Sequence, residues 1–273
     1  MDDEILTIYC LCDDLLISVN HHDHPSCLMS SAEVMTVALT ATLYFGGNYA
    51  LARRWLYKPD LMPVMLDKSR FSRRLYRVEH YFMLIFYLLA EVWKVSNDRQ
   101  IYIIDTFPIP VCDNWRIKRN RIYGREEYRG YKPSKKRYFY GLKVHILVTA
   151  TGQPVEFLLS PGSIGDVDGL QGFDFDLPPG AIIIGDKAYN LYWLEDVMAE
   201  ARLNLLPVRK KNSERPLKPW ERGLQLQCRQ QVETTGSLME RKLPKSIHAT
   251  NAPGFELKVK LFVIGLSIDQ MLK

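Results

Sequence analysis

The spacing of apolar residues changes near residue 97, and this change constrains the fold more than any other feature. Before that point apolar residues recur at helical intervals, whereas afterwards they form short continuous runs such as IYIID (101–105) and AIIIGD (181–186). Intervals of three or four residues indicate helices, and short apolar runs bounded by turn residues indicate buried strands. We therefore predict an α+β protein, with an all-helical domain at residues 1–97 and a mixed-sheet domain at residues 98–273.

Two stretches define the predicted helical domain. SSAEVMTVALTATLYF begins with Ser30 and Glu33 at the spacing of a capping box. DKSRFSRRLYRVEHYFMLIFYLL (67–89) combines an apolar stripe with a basic N-terminal half. Such a helix could enter a DNA groove, as recognition helices do, or expose a solvated basic face above a core. Both interpretations stay open, and Arg73 and Arg74 are the DNA contacts that the first one predicts.

The second half contains a predicted hairpin and further strands and helices. RYFYGLKVHILVT and PVEFLLS flank the turn formers of ATGQP, which favours an antiparallel hairpin. NLYWLEDVMAEARL (190–203) reads as a helix with Asn190 as its N-cap. NLLPV follows as a short strand, and two more helices are predicted near residues 223–242 and 254–272.

Composition excludes several classes of protein. Five cysteines in 273 residues are an odd number in a long chain, so a disulfide scaffold is excluded. The longest apolar run (81–93) contains Glu91 and is too short for a membrane span, which needs about 20 residues. The acidic start MDDEIL does not fit a secretory signal. We expect a cytoplasmic protein with no membrane partner.

Cysteines and histidines crowd together near the N-terminus. A Cys-x-Cys pair is not a usual zinc spacing, and on a helix its two thiols point to different faces. Ordinary packing is therefore favoured over a metal site there. The residues are Cys10, Cys12, His21, His22, His24 and Cys27.

Two aspartates end short apolar strands, and a glutamate lies further along. Asp105 and Asp186 would be neighbours if their strands were parallel, because paired strands lie about 4.8 Å apart. Glu233 lies at the edge of the apolar face of the predicted helix 223–242. Carboxylates on rigid elements suit Mg²⁺ or Mn²⁺, and two such ions can activate a nucleophile and stabilise a leaving oxygen in phosphoryl transfer.

Each acid also has a structural interpretation. Asp105 could cap the turn into TFPIP, Asp186 could form an Asx-turn, and Glu233 could pair with Arg229 one helical turn away. Asp166 and Asp168 in GSIGDVDGL read as loop or N-cap residues, with a supporting role in the site as the alternative.

Four blocks of sequence then resemble, in order, those of insertion-sequence transposases of the DDE class. They are IIDTFPIPVCDN (103–114), YFYGLKVHILVTATGQPVEFLLSPGSIGDVDGL (138–170), IIGDKAYN (183–190) and QQVETTGSLMERKLPKSIHA (230–249). The resemblance spans roughly residues 100–270. It implies an RNase H-like catalytic core in which Asp105, Asp186 and Glu233 hold two Mg²⁺ or Mn²⁺ ions.

The resemblance also implies an activity and partners. The enzyme would bind the terminal repeats of its element, hydrolyse a phosphodiester there, and join the freed 3′-hydroxyl to target DNA. Its partner would be double-stranded DNA, on which it would assemble as a homo-oligomer. Two alternatives remain: an RNase H-like nuclease that cuts without joining, and an inactive DNA-binding relic.

Several basic residues are candidate DNA contacts. In related transposases a Tyr, an Arg and a Lys accompany the Glu; here Arg229 matches, whereas Leu226 and Glu240 depart from that pattern and Arg241 and Lys242 follow. Residues 115–143 hold eleven Lys/Arg, two Glu and seven aromatics, which favours nucleic-acid contact over a solvated loop. From that segment we nominate Lys135, Lys136 and Arg137. Lys187 either steadies the charge of Asp186 or touches the DNA backbone.

Overall fold

The computed structural model describes residues 1–113, 121–132, 136–228, 247 and 249–273. The described chain forms two compact units. The first contains residues 1–89, 247 and 253–273, and the second contains the other described residues, which lie between 90 and 252. The C-terminal helix is therefore grouped with the N-terminal helices, and the division of the sequence at residue 97 remains a proposal about separable domains.

The first unit is built from helices around two that are buried on nearly every side. Helix α2 starts at the predicted capping box: the Ser30 hydroxyl accepts from the Glu33 N–H at 3.1 Å, and the Glu33 carboxylate accepts from the Ser30 N–H at 2.6 Å. The residues of α2 and of the C-terminal helix α9 are buried on nearly every side of each helix, as expected of helices in a core. The helices are α1 (Asp2–Ser18), α2 (Ser31–Tyr44), α3 (Tyr49–Leu56), α4 (Lys68–Arg77), α5 (Glu79–Val95, whose end lies in the second unit) and α9 (Ala252–Met271).

The basic and apolar stretch 67–89 forms two helices, where the sequence indicates one. Helix α4 ends at Arg77, the dihedral angles of its C-cap Val78 leave the helical region, and α5 begins at Glu79. The interruption does not disturb the packing, because the predicted apolar stripe is buried throughout. Its members are Phe71, Leu75, Val78, Phe82 and Ile85.

The second unit contains a six-stranded mixed sheet. Strand β3 pairs antiparallel with β1 on one side and with β2 and β4 on the other, while β1, β5 and β6 pair in parallel. Without the short β2, the order β4-β3-β1-β5-β6 is that of an RNase H-like sheet, so the predicted fold class is confirmed. The strands are β1 (Ile101–Asp113), β2 (Arg129–Lys132), β3 (Arg137–Thr149), β4 (Pro154–Pro161), β5 (Ile182–Gly185) and β6 (Asn204–Pro207).

Strand β1 is longer than its apolar run predicts. It pairs with β5 only over residues 101–103 but continues along β3 to Asp113. Beyond residue 103 the edge of β1 opposite β3 has no β5 partner. Pro108 and Pro110 lack backbone N–H groups, and because they are two residues apart both lacks fall on the same edge. On the edge without β5 they remove no ladder hydrogen bond. Asp105 therefore lies within a strand, at the point where the parallel pairing ends.

The remaining elements follow the sequence with two differences. The hairpin β3–β4 and the strand β6 are confirmed. Between β4 and β5 lies the short helix α6 (Asp166–Gly169), and α7 (Tyr192–Glu200) follows β5. The cap of α7 is Leu191, because the Asn190 side chain instead accepts from Arg209 at 3.0 Å. Helix α8 begins at residue 219, earlier than expected, and is described to residue 228.

No helix within the described ranges is long and apolar enough to cross a bilayer.

Gly141 of β3 offers a test of the sheet packing. A Cβ atom there would lie 2.2 Å from the Ile109 carbonyl oxygen of β1, which is backbone and cannot move aside cheaply. We expect Gly141→Ala to lower the free energy of unfolding by about 1–3 kcal/mol in urea denaturation. Gly124→Ala, where nothing lies within 4 Å, is the control. Equal stability of the two variants would contradict the described β1–β3 packing.

Candidate active site

Asp105 and Asp186 are brought together by the register of two parallel strands. Ile101 pairs with Ile182 and Ile103 with Ile184. The same register carried two residues further places Asp105 level with Asp186, just past the last paired residues. The prediction that their strands are adjacent and parallel is thus confirmed, although the catalytic role of the two acids remains a prediction.

Asp105 occupies a site unfavourable for a carboxylate. Burial raises its pKa to about 7, and the nearby carboxylates of Asp186 and Asp166 act in the same direction. The hydrogen bond from the Thr106 N–H, at 2.8 Å, opposes the shift only in part. Buried acids crowded by like charge gain from an added cation, so this location favours binding of positive charge.

Asp186 directly follows β5 and is the N-cap of a short 3₁₀ turn over residues 187–189. Its carboxylate accepts from the Ala188 N–H at 2.7 Å, so it acts as an N-cap as well as standing at a strand end. Partial removal from solvent raises its pKa; the Ala188 hydrogen bond lowers it, and the charge of Asp166 raises it further. The Asx-turn interpretation and the site interpretation are therefore compatible.

A third acid, Asp166, lies close to this pair and is held by a lysine. The ammonium group of Lys143 on β3 donates to the Asp166 carboxylate at 3.0 Å and to the Ile164 carbonyl at 2.7 Å. Asp166 is the first residue of α6, whose N-cap is Gly165. Because Asp166 raises the pKa of both Asp105 and Asp186, it belongs to the same electrostatic environment.

A buried polar cluster, which the sequence did not reveal, lies beside Asp105. It consists of Thr106, His145, Ser160 and Tyr189. Burial lowers the pKa of His145 to about 4, so its imidazole is neutral near pH 7. Two glycines are the only sequence signal: a Cβ at Gly169 would lie 2.1 Å from the His145 ring, and one at Gly185 would lie 2.7 Å from the Tyr189 ring.

The donor set fits a divalent cation in chemistry but is incomplete in number. The acids supply hard oxygen ligands on rigid elements, as Mg²⁺ and Mn²⁺ prefer. Across the described residues, however, no group of three His, Cys, Asp or Glu side chains could hold a metal ion.

Several nominated residues lie outside the described ranges. They are Glu233, Arg229, Arg241 and Lys242, which fall in 229–246, and Lys135, which falls in 133–135. Their roles therefore remain predictions.

The described basic residues differ in their surroundings. Lys187, Lys136, Arg137 and Arg73 are exposed. Arg74 is instead 15% exposed and bridges the segment before α2: its guanidinium contacts the Asp23 carboxylate at 2.6 Å and the Cys27 sulfur at 2.8 Å. This network favours a structural role for Arg74 over the predicted contact with DNA, because its charge is already paired.

The N-terminal cysteine and histidine residues make local contacts. His21 lies 3.0 Å from the Ser31 hydroxyl and 2.8 Å from the Tyr81 hydroxyl, while Cys12 is fully buried. His22 and His24 contact the neighbouring Asn20 and Ser26.

Comparison with known proteins identifies the family to which the chain belongs. A family model described as a transposase DDE domain matches residues 95–247, which is more than half of the chain. The chain therefore belongs to the DDE-domain transposase family, and the protein is an enzyme of that class. No curated protein matches the sequence.

Among solved structures, two transposases are similar in part. A piggyBac transposase synaptic complex with hairpin DNA has 10% sequence identity and a TM-score of 0.44, covering 97% of this chain and 73% of that one. A pre-cleavage Mos1 transpososome has 10% identity and a TM-score of 0.24, with 92% and 80% covered.

The raised pKa of Asp105 predicts a pH-dependent stability. The native state keeps a proton that the unfolded chain releases near pH 4, so the free energy of unfolding falls as pH rises from about 4 to about 7. Asp105→Asn removes this loss. We compare the free energy of unfolding of the variant with that of wild type, measured in urea without divalent cations. This difference should favour the variant by about 2 kcal/mol more at pH 8 than at pH 5.

The exposed Asp174 provides the control for this measurement. Asp174→Asn should change stability by similar small amounts at the two pH values. If Asp105→Asn behaved in the same way, the native carboxyl of Asp105 would not be strongly perturbed.

Proposed function

We propose that this protein is an insertion-sequence transposase that cleaves DNA at the ends of its element and joins the freed 3′-ends to target DNA. The observation that carries the proposal is the placement of Asp105 level with Asp186 at the end of the β1–β5 pairing, in a chain of the DDE transposase family. A carboxylate pair on neighbouring strands suits phosphodiester chemistry.

Asp105, Asp186 and Glu233 would hold the divalent cations, which we propose to be two Mg²⁺ or Mn²⁺ ions. When bound, such ions activate the attacking oxygen and stabilise the leaving oxygen of a phosphodiester. The raised pKa of Asp105 means that cation binding must displace its proton below about pH 7. The chain contributes fixed carboxylate positions, while Lys143 keeps Asp166 partly neutralised beside them.

The anchoring of α8 supports Glu233 as the third acid. The Gln225 side chain donates to the Leu206 and Pro207 carbonyl oxygens at 3.0 and 2.8 Å, which ties α8 to the end of β6. Pro207 pairs with Gly185, the residue before Asp186. The described part of α8 is thus attached next to the segment that carries Asp186, and we propose Glu233, eight positions further along the sequence, as the third acid.

Asp186→Asn tests the proposed active site. The substitution keeps the size of the side chain but removes an anionic ligand. Without it, several kcal/mol of metal-dependent stabilisation of the transition state would be lost. We expect DNA cleavage to fall by at least about 100-fold. The substrate is a DNA fragment holding the gene with its flanking sequence, incubated with Mg²⁺.

Asp98→Asn, at an exposed acid in the turn before β1, is the matched control and should cleave as wild type does. Cleavage that survives Asp186→Asn would overturn the assignment. With pre-cleaved ends, wild-type protein should form joined products; cleavage without joining would identify a nuclease instead.

The arginine face of α4 supports double-stranded DNA as the partner. Arg70, Arg73 and Arg77 are exposed at helical spacing, and with Arg74 they line a surface cavity of about 280 Å³. Arg70 is paired with Asp67 at 3.3 Å, whereas Arg73 and Arg77 make no ion pair within the described chain. Unpaired guanidinium groups on one helix face suit contacts with phosphates.

A second basic surface lies on the β2–β3 hairpin. Tyr131 and Tyr138 are 47% and 46% exposed and lie 5.0 Å apart by ring centroids, with Arg129 over the Tyr138 ring. Exposed aromatics beside Lys136 and Arg137 suit unpaired bases near a cleaved end. The sequence nominated seven aromatics, of which Phe139, Tyr140 and Tyr123 are buried.

Arg73→Gln tests the α4 surface. Loss of one phosphate contact should reduce the salt dependence of binding to double-stranded DNA, lowering the slope of log K against log salt by about 0.9. Fluorescence anisotropy over a range of salt concentrations measures this slope. Arg202→Gln, an exposed arginine between α7 and β6, is the control. An unchanged slope for Arg73→Gln would exclude Arg73 from the interface.

A further inference from the structure

We propose that Tyr189 is a positioning residue that fixes the separation of Asp105 and Asp186 through a directional chain of hydrogen bonds. The inference rests on the proposed metal site at those two acids. Tyr189 follows Asp186 by three residues, and its hydroxyl lies 3.1 Å from the Thr106 hydroxyl. Thr106 is next to Asp105 and donates its N–H to that carboxylate. One hydrogen bond thus joins the two segments that carry the acids.

The chain continues into the sheet through buried groups. The Thr106 hydroxyl lies 3.0 Å from His145 Nδ1, and His145 Nε2 lies 2.8 Å from the Ser160 hydroxyl. The Ser160 hydroxyl reaches the Pro161 carbonyl oxygen at 3.3 Å. His145 and Tyr189 are at most 1% exposed, and Thr106 is partly buried, so the bonds lie largely away from bulk water.

The Pro161 carbonyl sets the direction of every bond, because a carbonyl oxygen only accepts. Ser160 donates to it and so accepts from His145 Nε2–H. The neutral imidazole then has an acceptor at Nδ1, to which Thr106 donates its single hydroxyl proton. The Thr106 oxygen is left to accept from Tyr189, so the tyrosine hydroxyl has one defined role as a donor.

Two rings of this hydrogen-bonded chain pack closely against glycines. The Tyr189 ring lies against the backbone of Gly185, where a side chain would collide at 2.7 Å, and the His145 ring lies against Gly169. The tyrosine ring therefore has little freedom to turn, and its hydroxyl is directed at Thr106. A bond held in this way maintains the spacing of the two acids before any cation binds, which is how supporting residues raise the metal affinity of a site.

Tyr189→Phe tests this role because it removes the hydroxyl and keeps the ring. We expect the dissociation constant for Mn²⁺, measured on the full-length protein by electron paramagnetic resonance of the free ion, to rise by about tenfold. Thr106→Val should have the same effect, and Thr106→Ser, which keeps the hydroxyl, should bind Mn²⁺ within about twofold of wild type. The double variant should bind Mn²⁺ no more weakly than Thr106→Val alone, because Thr106→Val already removes the bond to Tyr189.

The control is Tyr44→Phe, which removes a tyrosine hydroxyl bonded to Glu4 at 2.9 Å in the helical unit. It should leave Mn²⁺ binding unchanged. Wild-type affinity in Tyr189→Phe, or additive effects in the double variant, would overturn the proposal. Asp186→Asn in the same titration separates the two hypotheses. The proposed metal site itself would fail if wild type bound no Mn²⁺, or if Asp186→Asn bound Mn²⁺ as tightly as wild type does.

Discussion

The parallel pairing of β1 with β5 is the interaction on which the site depends. Only three residue pairs make this ladder, yet their register places Asp105 level with Asp186. A slip by one residue would turn one of the two side chains to the opposite face of the sheet. The isoleucines of both strands are largely buried, so the hydrophobic effect that stabilises the sheet also fixes the positions of the acids.

The sheet concentrates negative charge at a place where burial makes it costly. Burial and the charges of Asp186 and Asp166 raise the pKa of Asp105, and partial burial and the charge of Asp166 raise the pKa of Asp186, while Lys143 is paired with Asp166 alone among these acids. Such an arrangement is unfavourable in the free protein and becomes favourable when cations bind. Strain of this kind is typical of functional sites, where local stability is lower than the fold alone would allow.

Rigid support compensates for the weak local pairing. Beyond residue 103, among the described strands, β1 pairs with β3 and no longer with β5, and the turn after β5 is short. The buried cluster of Thr106, His145, Ser160 and Tyr189 links β1, β3, β4 and that turn through polar contacts. Glycines at 169 and 185 allow the two rings to approach the backbone, which explains why small residues occur there.

The sequence by itself determined most of the longer elements, their order and the two strand-associated aspartates, because apolar periodicity and turn residues act locally. It also determined the capping box of α2, which involves residues only three positions apart. Tertiary structure alone decided that β1 runs past its prolines, that Arg74 is paired with Asp23, and that Tyr189 reaches Thr106. These outcomes join residues distant in sequence, so they depend on how strands and helices pack rather than on any local pattern.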